Sequence, residues 1–130
     1  MLLEAAAQGG GKPVPLPLGR DAAGVLRLDW VPLLDRLLDA TVSSQTRAAD
    51  FHATLVEAAL AQAQAIRKTL PFDMVGLTGG VFQNRRLSEA FGVRFAAAGL
   101  DLHLAREVPV NDAGLAFGQI IEYAALVGGN

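Results

Sequence analysis

Cysteine is absent from these 130 residues. That removes disulfides, thiolate chemistry and cysteine metal sites, and it fits a reducing compartment. An excess of charge is also missing: 11 basic residues stand against 13 acidic ones, for a net charge of −2, and no basic cluster stands out. Such a balance argues against nucleic acid as a partner, though not against a nucleotide. Long hydrophobic runs are lacking too. Charges or glycines interrupt the apolar stretches, so no membrane span is expected. The opening Met1-Leu-Leu-Glu-Ala-Ala-Ala carries an acid and no basic residue, unlike a signal peptide. The expected location is cytoplasmic. The same opening reads as the middle of a helix, which hints at a longer parent chain.

What is present favours one packed domain over 1–130. The chain is 52% apolar and 18% charged, enough for a core and unlike a disordered segment. Residues 2–7 read as the end of a helix, stopped by Gly9-Gly10-Gly11. Pro13, Pro15 and Pro17 keep the next stretch extended. Val25 to Leu28 alternates as a short strand. Asp29-Trp30-Val31-Pro32 then opens a helix, with Pro32 in its first turn and Leu33, Leu34, Leu37 and Leu38 on one face. Trp30 reads as an anchoring core aromatic. Asp35 and Asp39, four apart, form either a carboxylate pair or part of an exposed polar face.

The longest helical pattern covers about 45–69, after Ser43-Ser44. Its 3.6-residue spacing puts Phe51, Leu55, Ala58, Ala59, Gln62 and Ile66 on the core face, and its many alanines allow close packing. Residues 74–78 read as a buried strand. A helix follows over 84–98, with Leu87, Phe91, Phe95 and Ala98 inward and Arg85, Arg86, Glu89 and Arg94 outward. Gly99 ends it, and 100–104 alternates as a second strand. Residues 73–104 therefore predict a βαβ unit with parallel strands. A last helix is expected over 112–126.

Two stretches carry candidate chemistry. Thr78-Gly79-Gly80 ends an apolar run just before a helix. Bare backbone there can approach a phosphate or ribose, with a Thr78 hydroxyl and the Asn84 amide as further contacts. The alternative is a plain strand-to-helix turn with Asn84 as the helix cap. Asn111-Asp112 opens the last helix, either as a metal or phosphate contact or as an N-cap favoured by the helix dipole. Gly114 and Gly118 share a helix face that admits either a ligand or close packing on the sheet, the latter being the expectation. His52 has no histidine or carboxylate at i+4, so a zinc site is not expected. His103 faces away from Leu102 and Leu104.

Leu77-Thr-Gly-Gly-Val-Phe-Gln-Asn84, followed by Pro109-Val-Asn-Asp-Ala-Gly-Leu-Ala-Phe-Gly-Gln119, resembles the C-terminal end of the HypF-type hydrogenase maturation carbamoyltransferases. Ala49-Asp-Phe-His52 is similar to the Ala-x-x-Phe-His helix of that family. The related tRNA threonylcarbamoyl transferases share the Gly-Gly, Asn and Asp elements but differ at the His52 position. The resemblance covers about residues 1–126. It implies an α/β fold, part of an actin/sugar-kinase-like nucleotide-binding lobe, with a short, mostly parallel sheet and flanking helices. This chain would be the last part of the second lobe.

The implied chemistry uses carbamoyl phosphate and ATP to form carbamoyl adenylate. The carbamoyl group passes to the C-terminal cysteine of a HypE-type partner and becomes the cyanide ligand of nickel–iron hydrogenase. The resemblance assigns Gly79, Gly80 and Asn84 to the adenylate, with Thr78 in place of the usual serine. Asp112 matches the family's divalent-metal aspartate, and Ala113 replaces a glycine. Zinc belongs elsewhere in a full-length member. Activity is expected only in that full-length context, and the isolated chain, missing strands of the lobe, is expected to form a homodimer. The alternative is an inactive stand-alone nucleotide-binding or interaction module.

Overall fold

The computed structural model describes residues 2–105 and 112–128. Helix α1 (Leu2–Ala6) ends before Gly9, which takes a left-handed φ of 65°. The proline-spaced stretch then runs without regular structure into a hairpin of β1 (Leu18–Arg20) and β2 (Leu26–Leu28), paired antiparallel with Leu18 opposite Leu28. Strand β1 is an addition to the sequence expectation, because three residues are too few to show a period. Asp21 closes the turn by accepting from the Ala23 and Val25 amides and from Arg27 Nε. The Arg27 side chain, then the Val25 amide, holds the Asp21 carboxyl below the usual carboxylate range.

Helix α2 (Val31–Leu38) starts with Pro32 in its first turn, as expected. The expected face is corrected. Leu33 is buried and Leu37 half-buried, while Leu34 and Leu38 are exposed. Residues one apart lie about 100° around a helix, so 33 and 37 share a side that 34 and 38 do not. Trp30 is also corrected: it is 42% exposed, because it stands at the cap of α2 outside the core. Asp39 spends its carboxylate on Thr41, whose hydroxyl is the main cause of its lowered pKa, and forms no carboxylate pair with Asp35.

Helix α3 (Ser44–Arg67) is the spine. Ser43 caps it, its Oγ accepting from the Thr46 amide at 3.2 Å. The expected core face is shifted. The buried residues are Ala48, Ala49, Asp50, His52, Thr54, Val56, Ala58, Leu60 and Ala63, whereas Phe51, Leu55, Ala59 and Gln62 are half-buried and Ile66 is exposed. A single amphipathic stripe describes a helix covered on one side, but α3 is met by α1, by α2 and by the next helix. Small residues allow those approaches.

The N-terminal stretch is fastened to α3 by buried polar groups. Asp50 accepts from the Lys12 amide at 2.7 Å and from Arg36 Nε at 2.8 Å. Thr54 Oγ1 accepts from the Val14 amide at 2.9 Å and donates to the Asp50 carbonyl at 2.7 Å. Buried polar groups need such partners. At Gly11 the two backbones lie so close that a Cβ would stand 2.0 Å from the Ala49 carbonyl oxygen.

Beyond α3 lies the expected βαβ unit. Strand β3 (Met74–Leu77) and strand β4 (Asp101–Leu104) pair in parallel, Val75 opposite Leu102, and α4 (Arg85–Ala97) connects them. Val56, Leu60 and Ala63 from α3 meet Leu87, Phe91 and Phe95 from α4, with Leu100, in one core. Val75, Leu77 and Leu102 pack on it from the sheet. The expectation of a buried β3 is corrected: Met74 and Gly76 are exposed, as are Asp101 and His103 beside them. Among the described residues the sheet has two strands and is covered on one face. Gly99, at φ 67°, stops α4 as expected. The Leu100 amide reaches back to the Phe95 carbonyl and the Gly99 amide to that of Ala96, both at 3.0 Å. That is a Schellman end, with its usual apolar contact supplied by two core residues.

Helix α5 (Ala113–Gly128) closes the described chain. Leu115, Phe117, Ile120, Ile121 and Leu126 are exposed. Among the described residues, a Cβ at Gly118 would meet nothing within 4 Å, so the expected close packing of that position on the β3–β4 sheet is not seen.

Candidate functional site

Strand β3 ends at Leu77, and the next residues supply the candidate turn. Thr78 is exposed, Gly79 half-buried and Gly80 exposed. Gly79 has φ 108° and ψ 153°, a conformation that residues with a Cβ rarely hold. Nothing crowds it, since an added Cβ would find open space. The glycine is therefore required by the path of the chain, and its backbone is left approachable. A 3₁₀ turn over Gly80–Gln83 follows, closed by Phe82 N to Gly79 O and Asn84 N to Val81 O, each 3.1 Å.

Asn84 is 5% exposed and caps α4, its Oδ1 accepting from the Leu87 amide at 2.9 Å. Both ends of its amide are engaged, because Asn84 Nδ2 stands 2.7 Å from His52 Nε2. On the other side of the ring, His52 Nδ1 lies 2.7 Å from the Ala48 carbonyl. A carbonyl only accepts, so Nδ1 carries the proton and Nε2 accepts from Asn84. A continuous line of hydrogen bonds thus runs from α3 to the start of α4. Ser88 Oγ fastens the same corner by donating to Phe82 O at 2.8 Å and Asn84 O at 3.1 Å. Sequence reasoning considered His52 only as a metal ligand and did not connect it to Asn84. The signal available was their joint presence in the two resembling motifs.

Asp112 is exposed, and its carbonyl accepts from the Leu115 amide at 3.1 Å at the start of α5. Asn111 lies outside the described residues. Among the described residues, no side-chain hydrogen bond joins Asp112 to the Gly79-Gly80 turn, and no group of three or more His, Asp or Glu stands ready for a metal ion. One carboxylate supplies a fraction of the ligands such an ion takes. These residues alone do not fit a metal.

Next to His52, a cavity of about 300 Å³ opens between α3, α4 and the Gly10–Gly11 stretch, with Glu57, Arg86 and Arg94 on its wall. Arg94 bonds both oxygens of Glu57, one at 2.9 Å through its Nη2, and this bonding holds the Glu57 carboxyl below its usual range. Arg86 was expected to point outward. It is half-buried instead, because its guanidinium donates to the Ala7 carbonyl at 3.3 Å and to that of Gly9.

Comparison with known proteins gives this arrangement its context. A family model described as "Carbamoyltransferase, Kae1-like Domain, second subdomain" matches residues 1–119. The chain is 41% identical over 93 residues to carbamoyltransferase HypF2 of Cupriavidus necator, covering 72% of this chain and 11% of that protein. It is 36% identical over 103 residues to carbamoyltransferase HypF of Rhodobacter capsulatus, covering 79% of this chain and 14% of the relative. The fold also resembles the crystal structure of full-length HypF in its phosphate- and nucleotide-bound form, with a TM-score of 0.84 over 96% of this chain and 17% of that one, at 24% identity. The chain spans a small part of the length of each of these proteins. With a family match across most of its residues and an α/β fold shared with a solved member, the chain belongs to the HypF carbamoyltransferase family, to which it corresponds as the second subdomain of the Kae1-like domain.

Proposed function

We propose that this segment supplies part of the nucleotide-binding lobe of a carbamoyltransferase that makes carbamoyl adenylate from carbamoyl phosphate and ATP. In this reading the carbamoyl group then passes to the C-terminal cysteine of a HypE-type partner, for the cyanide ligands of nickel–iron hydrogenase in the cytoplasm. Family membership motivates the reaction. The observation that carries the site is the Gly79 backbone, held at positive φ between a parallel strand and a capped helix and flanked by the exposed Thr78 and Gly80. Backbone amides in such a turn favour an anion. Thr78, Gly79 and Gly80 contact the nucleotide; Asn84 acts from behind by shaping the turn. Asp112 contributes one ligand toward a divalent metal that the rest of a full-length member must complete.

The test is a titration of this chain with ATP, followed by backbone amide NMR. Shifts centred on Thr78, Gly79 and Gly80 are expected, with an affinity no better than about millimolar, because a nucleotide site normally encloses most of its ligand. ATP-induced shifts confined to other residues, or none at all, would remove the assignment. The same sample bears on assembly. The two-stranded β3–β4 sheet leaves strand edges unpaired and α5 exposes apolar residues, so the isolated chain is expected to self-associate as a dimer. Light scattering that stays at the monomer mass across a concentration series would contradict this.

A further inference from the structure

His52 is a buried imidazole whose two ring nitrogens are both hydrogen-bonded within the protein. It is 2% exposed and sits in α3, yet its Nε2 reaches a residue 32 positions away in sequence. The partner is the one residue joining the 3₁₀ turn to α4. Asn84 takes φ −70° and ψ 106°, its amide closes the turn on Val81, and its carbonyl receives the Ser88 amide at 3.0 Å. The path of 79–83 therefore depends on how Asn84 is held.

An asparagine side chain has two orientations of similar shape. With Oδ1 toward Leu87 it caps the helix; flipped, it presents NH₂ to the Leu87 amide, donor against donor. The cap by itself already favours the first orientation. His52 adds a second discrimination. Its Nδ1 proton is committed to Ala48 O, so Nε2 is an acceptor and matches the NH₂ end of Asn84, not the oxygen end. Phe51 meets the imidazole edge-on, with ring centroids 5.7 Å apart, and helps hold the ring in place.

We infer that His52 is a positioning residue: through its Nδ1–H tautomer it sets the orientation of the Asn84 amide, and thereby the geometry of the Gly79–Asn84 turn and its affinity for nucleotide. The last clause rests on the proposed nucleotide site, whereas the positioning does not. The Ala-Asp-Phe-His motif on α3 then has a task in the turn that α3 does not itself contain.

Three variants of the 130-residue chain test this, read by NMR and amide hydrogen exchange. In the unaltered chain, long-range ¹H–¹⁵N spectra should show His52 Nδ1 protonated and Nε2 bare at neutral pH. His52→Leu removes the acceptor at similar volume. It should raise exchange of the Leu87 and Ser88 amides at least tenfold, move the amide signals of 79–83, and weaken ATP-induced shifts threefold or more. Val56→Ala, one turn along α3 and in the core, serves as the control for general loss of stability and should leave the 79–83 signals in place. If His52→Leu does not fold, Asn84→Asp answers instead. An aspartate keeps the cap acceptor but offers His52 only oxygen, so Nε2 should switch from acceptor to donor and its ¹⁵N signal should move to the protonated position.

An Nε2-protonated tautomer in the unaltered chain would overturn the inference. So would a His52→Leu protein whose turn and Leu87 exchange match the unaltered chain, or an Asn84→Asp protein whose imidazole signals do not move. If ATP shifts nothing at 78–80 in the unaltered chain while the exchange and tautomer results hold, the nucleotide reading fails and the positioning role stands.

Discussion

Asp50→Ala is expected to destabilise the chain by about 3–5 kcal/mol, the cost usual for breaking a buried ion pair from one side. Asp50 is 1% exposed and receives the Arg36 guanidinium through two nitrogens, at 2.8 and 2.7 Å, and the Lys12 amide at 2.7 Å. Alanine would strand the amide and leave a guanidinium with its side chain 31% exposed. That residual access to water should bring the loss toward the lower end of the range. The N-terminal stretch and α2 would lose their common anchor on α3 together. Asp50→Asn keeps an acceptor for Lys12 and should lose less. Since small domains carry a total stability of about 5–15 kcal/mol, the alanine variant should show a clearly lowered urea midpoint. A loss below about 1 kcal/mol would mean that the pair is as weak as a surface one.

Gly11→Ala should cost about 2–4 kcal/mol, although it adds one methyl group. The new Cβ would lie 2.0 Å from Ala49 O, 2.3 Å from Ala49 C and 2.8 Å from Asp50 N. All three atoms belong to the backbone of α3, which cannot turn aside as a side chain can. The 11–14 stretch must lift instead. Doing so breaks or stretches the Lys12–Asp50 and Val14–Thr54 bonds. Gly10→Ala is the matched control: its Cβ would meet nothing within 4 Å, and a change within about 0.5 kcal/mol is expected. Equal midpoints for the two variants would show that the stretch yields without cost. Because Gly11→Ala and Asp50→Ala release the same segment, the double variant should lose less than the sum of the two.

Much of the candidate site is legible in the sequence. The Gly79-Gly80 break, the helix from 84 and the stop at Gly99 follow from conformational rules that act over a few residues. Positive φ, a side-chain cap and a Schellman end need no distant partner. The parallel pairing of 74–77 with 101–104 was also readable, because a strand, a helix and a strand in that spacing have few ways to close. Asn84 shows where this stopped. Its capping of α4 follows from its position, whereas its bond to His52 depends on a residue 32 positions away.

The misplaced residues share one cause. Trp30, Leu34 and Leu38 are apolar yet exposed, and Asp50, His52 and Thr54 are polar yet buried. Burial is decided by which elements surround a helix, and periodicity reports a stripe only when a single side is covered. Helix α3 is met by α1, α2 and α4, and it is also held through polar bonds by residues between elements: Lys12 and Val14 through their amides, Asn84 through its side chain. The local pattern of residues was enough for the five helices, the βαβ unit, the glycine turn and the family, though not for the three-residue strand β1. The core face of α3, the exposure of β3 and α5 and the pairing of His52 with Asn84 came from packing, since each depends on atoms brought together from positions tens of residues apart.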